Sequence, residues 1–105
     1  MLKHTREFQQ VYRRGKSAHS HALVLFCLPD PQKLSVGFTA SKKVGNAVMR
    51  NRAKRRMRAL FRRFESELAP GSYVLVAKSE TAKLPFAQLE KAFGRLVRRC
   101  GAVPA

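Results

Sequence analysis

Residues 34–78 read LSVGFTASKKVGNAVMRNRAKRRMRALFRRFESELAPGSYVLVAK, and the fold turns on how this stretch is read. It opens on a clean alternation over Leu34 to Ser41. Leu34, Val36, Phe38 and Ala40 share one face of a strand, and Ser35, Gly37, Thr39 and Ser41 share the other, because successive side chains in extended backbone point to opposite sides. The second face is small and polar, so another group can approach it closely. The period then changes. From about Ala47 to Leu68 the apolar residues Met49, Ala53, Met57, Leu60, Phe61, Phe64 and Leu68 step by three or four, as on a helix with one buried stripe. Asn46 is a residue type that caps such a helix, and Ala69-Pro70-Gly71-Ser72 stops it. Tyr73 to Lys78 is a further strand.

Upstream, Thr5 is a plausible cap for a helix running to about Arg14, with Phe8, Val11 and Tyr12 as its apolar stripe and Gly15 at its end. Ser20 to Leu28 reads as a strand. Its two faces, Leu23, Leu25 and Cys27 on one and Val24, Phe26 and Leu28 on the other, are both apolar, as in a strand covered on two sides. Pro29 to Lys33 is turn chemistry. Downstream, Ser79 to Lys83 reads as a loop, and Pro85 suits the first position of a last helix. Phe86, Leu89, Phe93, Leu96, Val97 and Cys100 form that helix's stripe, Gly101 closes it, and residues 101–105 read as a frayed end. The order is α-β-β-α-β-α, an α+β chain folded as a two-layer α/β sandwich. With 105 residues it makes one domain, 1–105.

The charge balance is lopsided, with 22 Lys and Arg against 6 Asp and Glu, a formal net charge of +16. Such a chain repels itself and gains stability from bound anions, so a polyanion is the natural partner and nucleic acid heads the list. The basic residues are concentrated. Lys42, Lys43, Arg50, Arg52, Lys54, Arg55, Arg56, Arg58, Arg62 and Arg63 fall in a stretch that holds no acidic residue. Like charges at i,i+3 and i,i+4 destabilise a helix by a few tenths of a kcal/mol per pair. A helix that keeps them is matched to an external anion. On a wheel, Arg52, Arg55, Arg58, Arg62 and Arg63 lie broadly opposite the apolar stripe and offer guanidinium forks to phosphates. Lys42 and Lys43 precede the helix start, where free backbone N–H groups also favour anions.

Other classes fall away. The spacing of a phosphate-binding nucleotide loop is absent. The acids Glu7, Asp30, Glu65, Glu67, Glu80 and Glu90 are scattered, with no acid/base pair and no cluster to hold two metals. No segment reaches the roughly 18 apolar residues of a membrane span, and no secretory signal follows Met1. Cys27 and Cys100 sit in apolar patterns and read as free buried thiols of a cytosolic protein. His19 and His21 alternate onto one strand face without the further ligands a metal needs, and read as edge residues near RNA.

The run Ser41-Lys42-Lys43-Val44-Gly45-Asn46-Ala47-Val48-Met49-Arg50-Asn51-Arg52-Ala53-Lys54-Arg55 closely resembles the Arg-Asn-Arg signature of the bacterial ribonuclease P protein component. Arg6-Glu7-Phe8 with Val11, Tyr12 and Gly15 resembles the first helix of that family, and the remainder follows in family order. The resemblance implies a left-handed β-α-β crossover over the signature helix and no catalytic side chains in the chain itself. It implies an RNA subunit that performs Mg²⁺-dependent hydrolysis, with Mg²⁺ held mainly by that RNA and the substrate. Lys42, Lys43, Asn46, Arg50, Asn51, Arg52, Lys54, Arg55 and Arg62 would face the RNA subunit. Phe8, Tyr12, Val24 and Phe26 would line a cleft for the single-stranded 5′ leader of precursor tRNA, with Lys54 and Arg58 at its rim. The implied partners are the catalytic RNA and precursor tRNA, in the cytoplasm, with no membrane and no obligate protein partner. Charge and fold class alone also suit a structural or assembly RNA-binding protein of ribosomal type, or a membrane-active cationic protein. The membrane reading needs a free apolar helix face, which the sheet here requires as core.

Overall fold

Alternating and 3.6-period segments take their expected places in a computed structural model that describes residues 5–101. Three helices, α1 (Thr5–Arg14), α2 (Ala47–Phe64) and α3 (Phe86–Arg99), accompany four strands, β1 (Lys16–His19), β2 (Leu23–Pro29), β3 (Leu34–Thr39) and β4 (Gly71–Ala77). The α+β class holds, with one strand more than the periodicity suggested: β1 precedes β2, so the order is α-β-β-β-α-β-α. Lys16-Ser17-Ala18-His19 is too polar to announce itself. Only Ala18 of the four is buried, and the strand sits at the sheet edge, where polar residues discourage pairing with other chains. The strand expected from Ser20 begins at Leu23, because the Ser20 hydroxyl bonds Leu23 O and accepts from the N–H groups of Ala22 and Leu23, making a turn. The long helix ends at Phe64 and tightens into a 3₁₀ turn, Glu65–Glu67. Ser79–Ala82 is likewise a 3₁₀ turn where a loop was expected. Of the end expected to fray, residues 102–105 lie outside the described residues.

The sheet order is β1-β2-β4-β3. The strands β1, β2 and β4 pair antiparallel in turn, and β3 pairs parallel with β4, so α2 is the connection between parallel neighbours. Register sets two faces. Leu23, Leu25 and Cys27 of β2, Tyr73 and Leu75 of β4, and Val36 and Phe38 of β3 meet the stripes of α2 and α3: Ala53, Met57, Leu60 and Phe61 from the first, Leu89, Phe93, Leu96 and Val97 from the second. Across the sheet, Val11 of α1 packs on Val74 with Phe8, Phe26, Leu28 and Val76 around them. The doubly apolar β2 is therefore covered on both sides, as its composition required.

Tight joints hold these layers. Gly15 turns the chain from α1 into β1, and a Cβ there would stand 2.5 Å from Val11 O and 2.7 Å from Cys27 O. Thr81 is buried, donates to Ala22 O at 2.5 Å and accepts from Lys78 N at 2.9 Å, tying the Ser79–Ala82 turn to the start of β2. Arg56 of α2 donates to Thr81 O at 3.0 Å and Leu84 O at 2.5 Å. Hydrogen bonds from a charged donor contribute about 1.5–3 kcal/mol each when buried and less when solvent reaches them. Arg56→Ala is therefore expected to cost about 2 kcal/mol in urea unfolding. Arg56→Lys recovers little of it, because an ammonium cannot span two carbonyls with a planar fork.

Cys27 and Cys100 are buried free thiols. Burial raises both, Cys100 from its ordinary value of 9.0 to about 11, with the neighbouring Cys27 adding to the rise. An acid whose folded pKa is raised contributes stability that is intact below the unfolded value and disappears as pH climbs through the folded one. Thermal melts from about pH 9 to 11 should therefore show a loss of about 2 kcal/mol that Cys100→Ala reduces.

Candidate nucleic-acid interface

The basic surface begins before α2. Ser41 Oγ accepts from Lys43 N at 3.3 Å, opening a 3₁₀ turn, Lys42–Val44, whose Val44 side chain is buried and anchors the loop. Gly45 follows with φ +141°, a backbone setting that a side chain rarely adopts. Asn46 then caps α2, its Oδ1 accepting from Met49 N at 3.0 Å. The Asn46 carbonyl oxygen thus holds the helix start, and its amide N–H₂ is free for a ligand. Lys42 and Lys43 stand exposed on this fixed loop. Cations beside a helix N-terminus oppose its dipole, so the arrangement favours an incoming anion.

Along α2 the structure separates the arginines. Arg52, Arg55, Arg58, Arg62 and Arg63 are exposed, as is Asn51, while Arg50 and Lys54 are half-buried. Arg63 pairs with Glu90 at 3.0 Å, the one ion pair among the described residues. Arg58 stands over the ring of Phe38, 5.7 Å from its centroid. Arg58, Arg62 and Glu65 rim a groove of about 260 Å³ floored by Val36, Phe38 and Phe61. The expected crowd of cations on one face is present and, among the described residues, has no carboxylate partner apart from that single bond. Arg56 belongs to the charge run but not to the outward-facing set, and the structure gives it a bonded role. Its guanidinium ties α2 to the turn before α3, a contact no local pattern could reveal.

A second site lies across the sheet. Tyr12 is 39% exposed, although a helical stripe would ordinarily bury it. Its ring meets Phe26 edge-on with centroids 4.8 Å apart, and Phe8 lies 6.5 Å from Tyr12. His19 of β1 completes the group, 6.4 Å from Phe26. Sequence reasoning placed His19 at an edge but not beside Phe26; the pairing Ser17↔Phe26 and His19↔Val24 puts it there. Val24 shares this strand face and is buried, so it contributes floor and not a stacking surface. Beyond β4, the same face of the sheet continues into Ser35, Gly37 and Thr39, the small polar row of β3. Lys54 and Arg58 do not join this group. They stand on α2, which covers the opposite face.

Among the described residues no three His, Cys, Asp or Glu side chains gather where they could hold a metal ion, and no helix is long and apolar enough to cross a membrane.

Known proteins resemble this chain in sequence and fold. The ribonuclease P family model matches residues 1–101. The ribonuclease P protein component of a Nitratiruptor species is 45% identical over 98 residues, covering 93% of this chain and 89% of that protein. Its counterpart in Geobacillus kaustophilus is 36% identical over 103 residues, covering 95% and 85%. The fold matches the Staphylococcus aureus RNase P protein with a TM-score of 0.85 at 23% identity, over 97% of this chain and 95% of that one. It matches the Thermotoga maritima RNase P protein with a TM-score of 0.79 at 24% identity, over 92% and 94%. Signature helix, sheet and full-length similarity agree, and the chain belongs to the family of bacterial ribonuclease P protein components.

Proposed function

We propose that this chain acts without catalytic side chains of its own, binding the catalytic RNA of ribonuclease P and the 5′ leader of precursor tRNA so that the RNA removes the leader. The observation that carries the reading is the outward face of α2, where Arg52, Arg55, Arg58 and Arg62 are exposed and, among the described residues, Arg63 alone has a carboxylate partner. With Lys42, Lys43, Asn46, Arg50, Asn51 and Lys54 around the helix start, this face takes the RNA subunit's phosphates. Mg²⁺ belongs mainly to the RNA and the substrate, whose phosphate oxygens are the hard ligands it prefers. The cytoplasm, where precursor tRNA is made, is the expected compartment.

Tyr12, Phe26 and Phe8 take the leader. Aromatic faces stack unpaired bases with little regard to sequence, at about 1–3 kcal/mol per base. The row Ser35, Gly37 and Thr39 lets a strand lie close to the sheet beyond them. Arg58 could reach that strand's backbone only around the β3 edge, so its first role is with the RNA subunit.

The test is reconstitution: purified protein and cognate RNA are assayed for precursor-tRNA cleavage at low Mg²⁺. Restored cleavage supports the reading; no restoration, with RNA still bound, indicates a structural RNA-binding protein instead. Tyr12→Ala should weaken precursor-tRNA affinity about tenfold and leave mature tRNA nearly unchanged. Equal losses for both would remove Tyr12 from leader binding.

A further inference from the structure

Arg52, Arg55, Arg56, Ala59 and Arg63 share one side of α2, where residues three or four apart are neighbours and Arg55 and Arg56 stand side by side. Four of these five positions are arginine, and the exposed Ala59 leaves a gap in the row. The gap opens a groove of about 360 Å³ toward α3, lined by Arg52, Arg55, Arg56, Ala59 and Phe86. Phe86, the first residue of α3, is half-buried and lines this space. At the far end, one turn beyond Ala59, Arg63 stacks over Phe86 at 5.2 Å and is held by Glu90. No carboxylate lines the groove.

Arg56 gives the site its rigidity. Two of its N–H groups are spent on Thr81 O and Leu84 O, and a guanidinium has five. Those carbonyls fix the fork without cancelling its charge. Burial, and after it the charge of Arg52, push Arg56 down from its ordinary value, so the pair is poised for an anion. A convex row of arginines would suit the backbone of a paired helix. This surface is a shallow, open groove with an aromatic edge and a preset guanidinium, which suits one nucleotide taken out of a helix and laid across it.

The geometry points to a nucleotide-capture site between α2 and α3, in which one unpaired nucleotide of the partner RNA places its base against Phe86 and its phosphate between Arg52, Arg55 and Arg56. The inference rests on the RNA-binding reading above only for the identity of the RNA. It assigns to Phe86 and Ala59 a role in choosing unpaired over paired structure, which phosphate contacts alone cannot make.

The full-length protein is titrated by fluorescence anisotropy with an RNA hairpin carrying one unpaired adenosine, and with the same hairpin fully paired, at equal salt. The unaltered protein should prefer the bulged hairpin by about tenfold. Phe86→Leu keeps an apolar side chain on the core and should erase the preference, leaving paired-hairpin affinity within about twofold. Ala59→Leu fills the groove from an exposed position outside the core and should do the same, while Phe86→Trp keeps the preference. With 4-thiouridine at the bulge, photocrosslinking should fall in the tryptic peptide Leu84 to Lys91. No preference in the unaltered protein, a preference that survives both Phe86→Leu and Ala59→Leu, or crosslinks confined to the peptides of Tyr12 or Phe26 would overturn the site. Cleavage restored without any base preference refutes the groove alone. Base capture without restored cleavage refutes the holoenzyme reading and leaves the groove standing.

Discussion

Replacing Arg52, Arg55 and Arg62 together by Gln is expected to lower affinity for the cognate RNA subunit by about a hundredfold or more at moderate salt. The log–log salt dependence should flatten by roughly two to three units, since each lost phosphate contact removes about 0.7–0.9 of a counterion. All three side chains are exposed, and none pairs with a carboxylate among the described residues, so the loss comes from the RNA and not from the fold. The sign of the stability change separates the two possibilities. Arg52 and Arg55 are three apart in α2 and repel, so the triple variant should melt no lower than the parent, and slightly higher at low salt. An unchanged salt slope, measured by filter binding from about 50 to 400 mM, would take these arginines out of the RNA contact.

The largest loss of stability should come from a single methyl group. Gly15→Ala places a Cβ 2.5 Å from Val11 O and 2.7 Å from Cys27 O, and both neighbours are backbone. A flexible side chain could yield; these atoms are held by α1 and by the pairing of β2 with both its neighbours. Overpacking of this kind typically costs about 1–3 kcal/mol, and a backbone clash on two sides belongs at the upper end. Gly101 is the control. Its φ of +70° carries a conformational cost of about 1 kcal/mol for alanine, but a Cβ there meets nothing within 4 Å. Urea unfolding of Gly15→Ala and Gly101→Ala should therefore differ by about 2 kcal/mol. Equal losses would mean that the α1–β1 joint can shift, and α1 would then not be held rigidly over Phe26.

Both predictions bear on how a small basic protein keeps two surfaces apart. The sheet carries α2 and α3 on one face and α1 on the other, so the arginine face and the aromatic group point away from each other. Under the proposed function, a structured RNA would meet one side and a single strand the other. The device requires β2 to be apolar on both faces, and Leu23 to Leu28 supply that.

Much of this was legible in the chain. The alternation of Leu34 to Thr39, the 3.6-residue stripe from Met49 to Phe64 and the unbroken run of cations identify their elements through local geometry alone. Asn46 could be named as a cap because capping is a contact between residues three apart. The run from Ser41 to Arg55 was specific enough to suggest a family that full-length similarity then established. β1 carries no local signature because an edge strand buries little and so needs no apolar alternation; Ala18 is its one buried residue.

Period and charge are properties of neighbours in the chain, so the sequence by itself determined the helices, three of the strands and the polyanion-seeking character of α2. Which strands pair, and which side chains therefore share a face, depends on contacts between residues far apart. Only the tertiary structure could set His19 beside Phe26, place Lys54 and Arg58 across the sheet from Tyr12, and fix the Arg56 guanidinium on Thr81 and Leu84. An arginine in a basic helix looks the same in every local window, and its role is settled by whatever carbonyl or phosphate the fold brings within its reach.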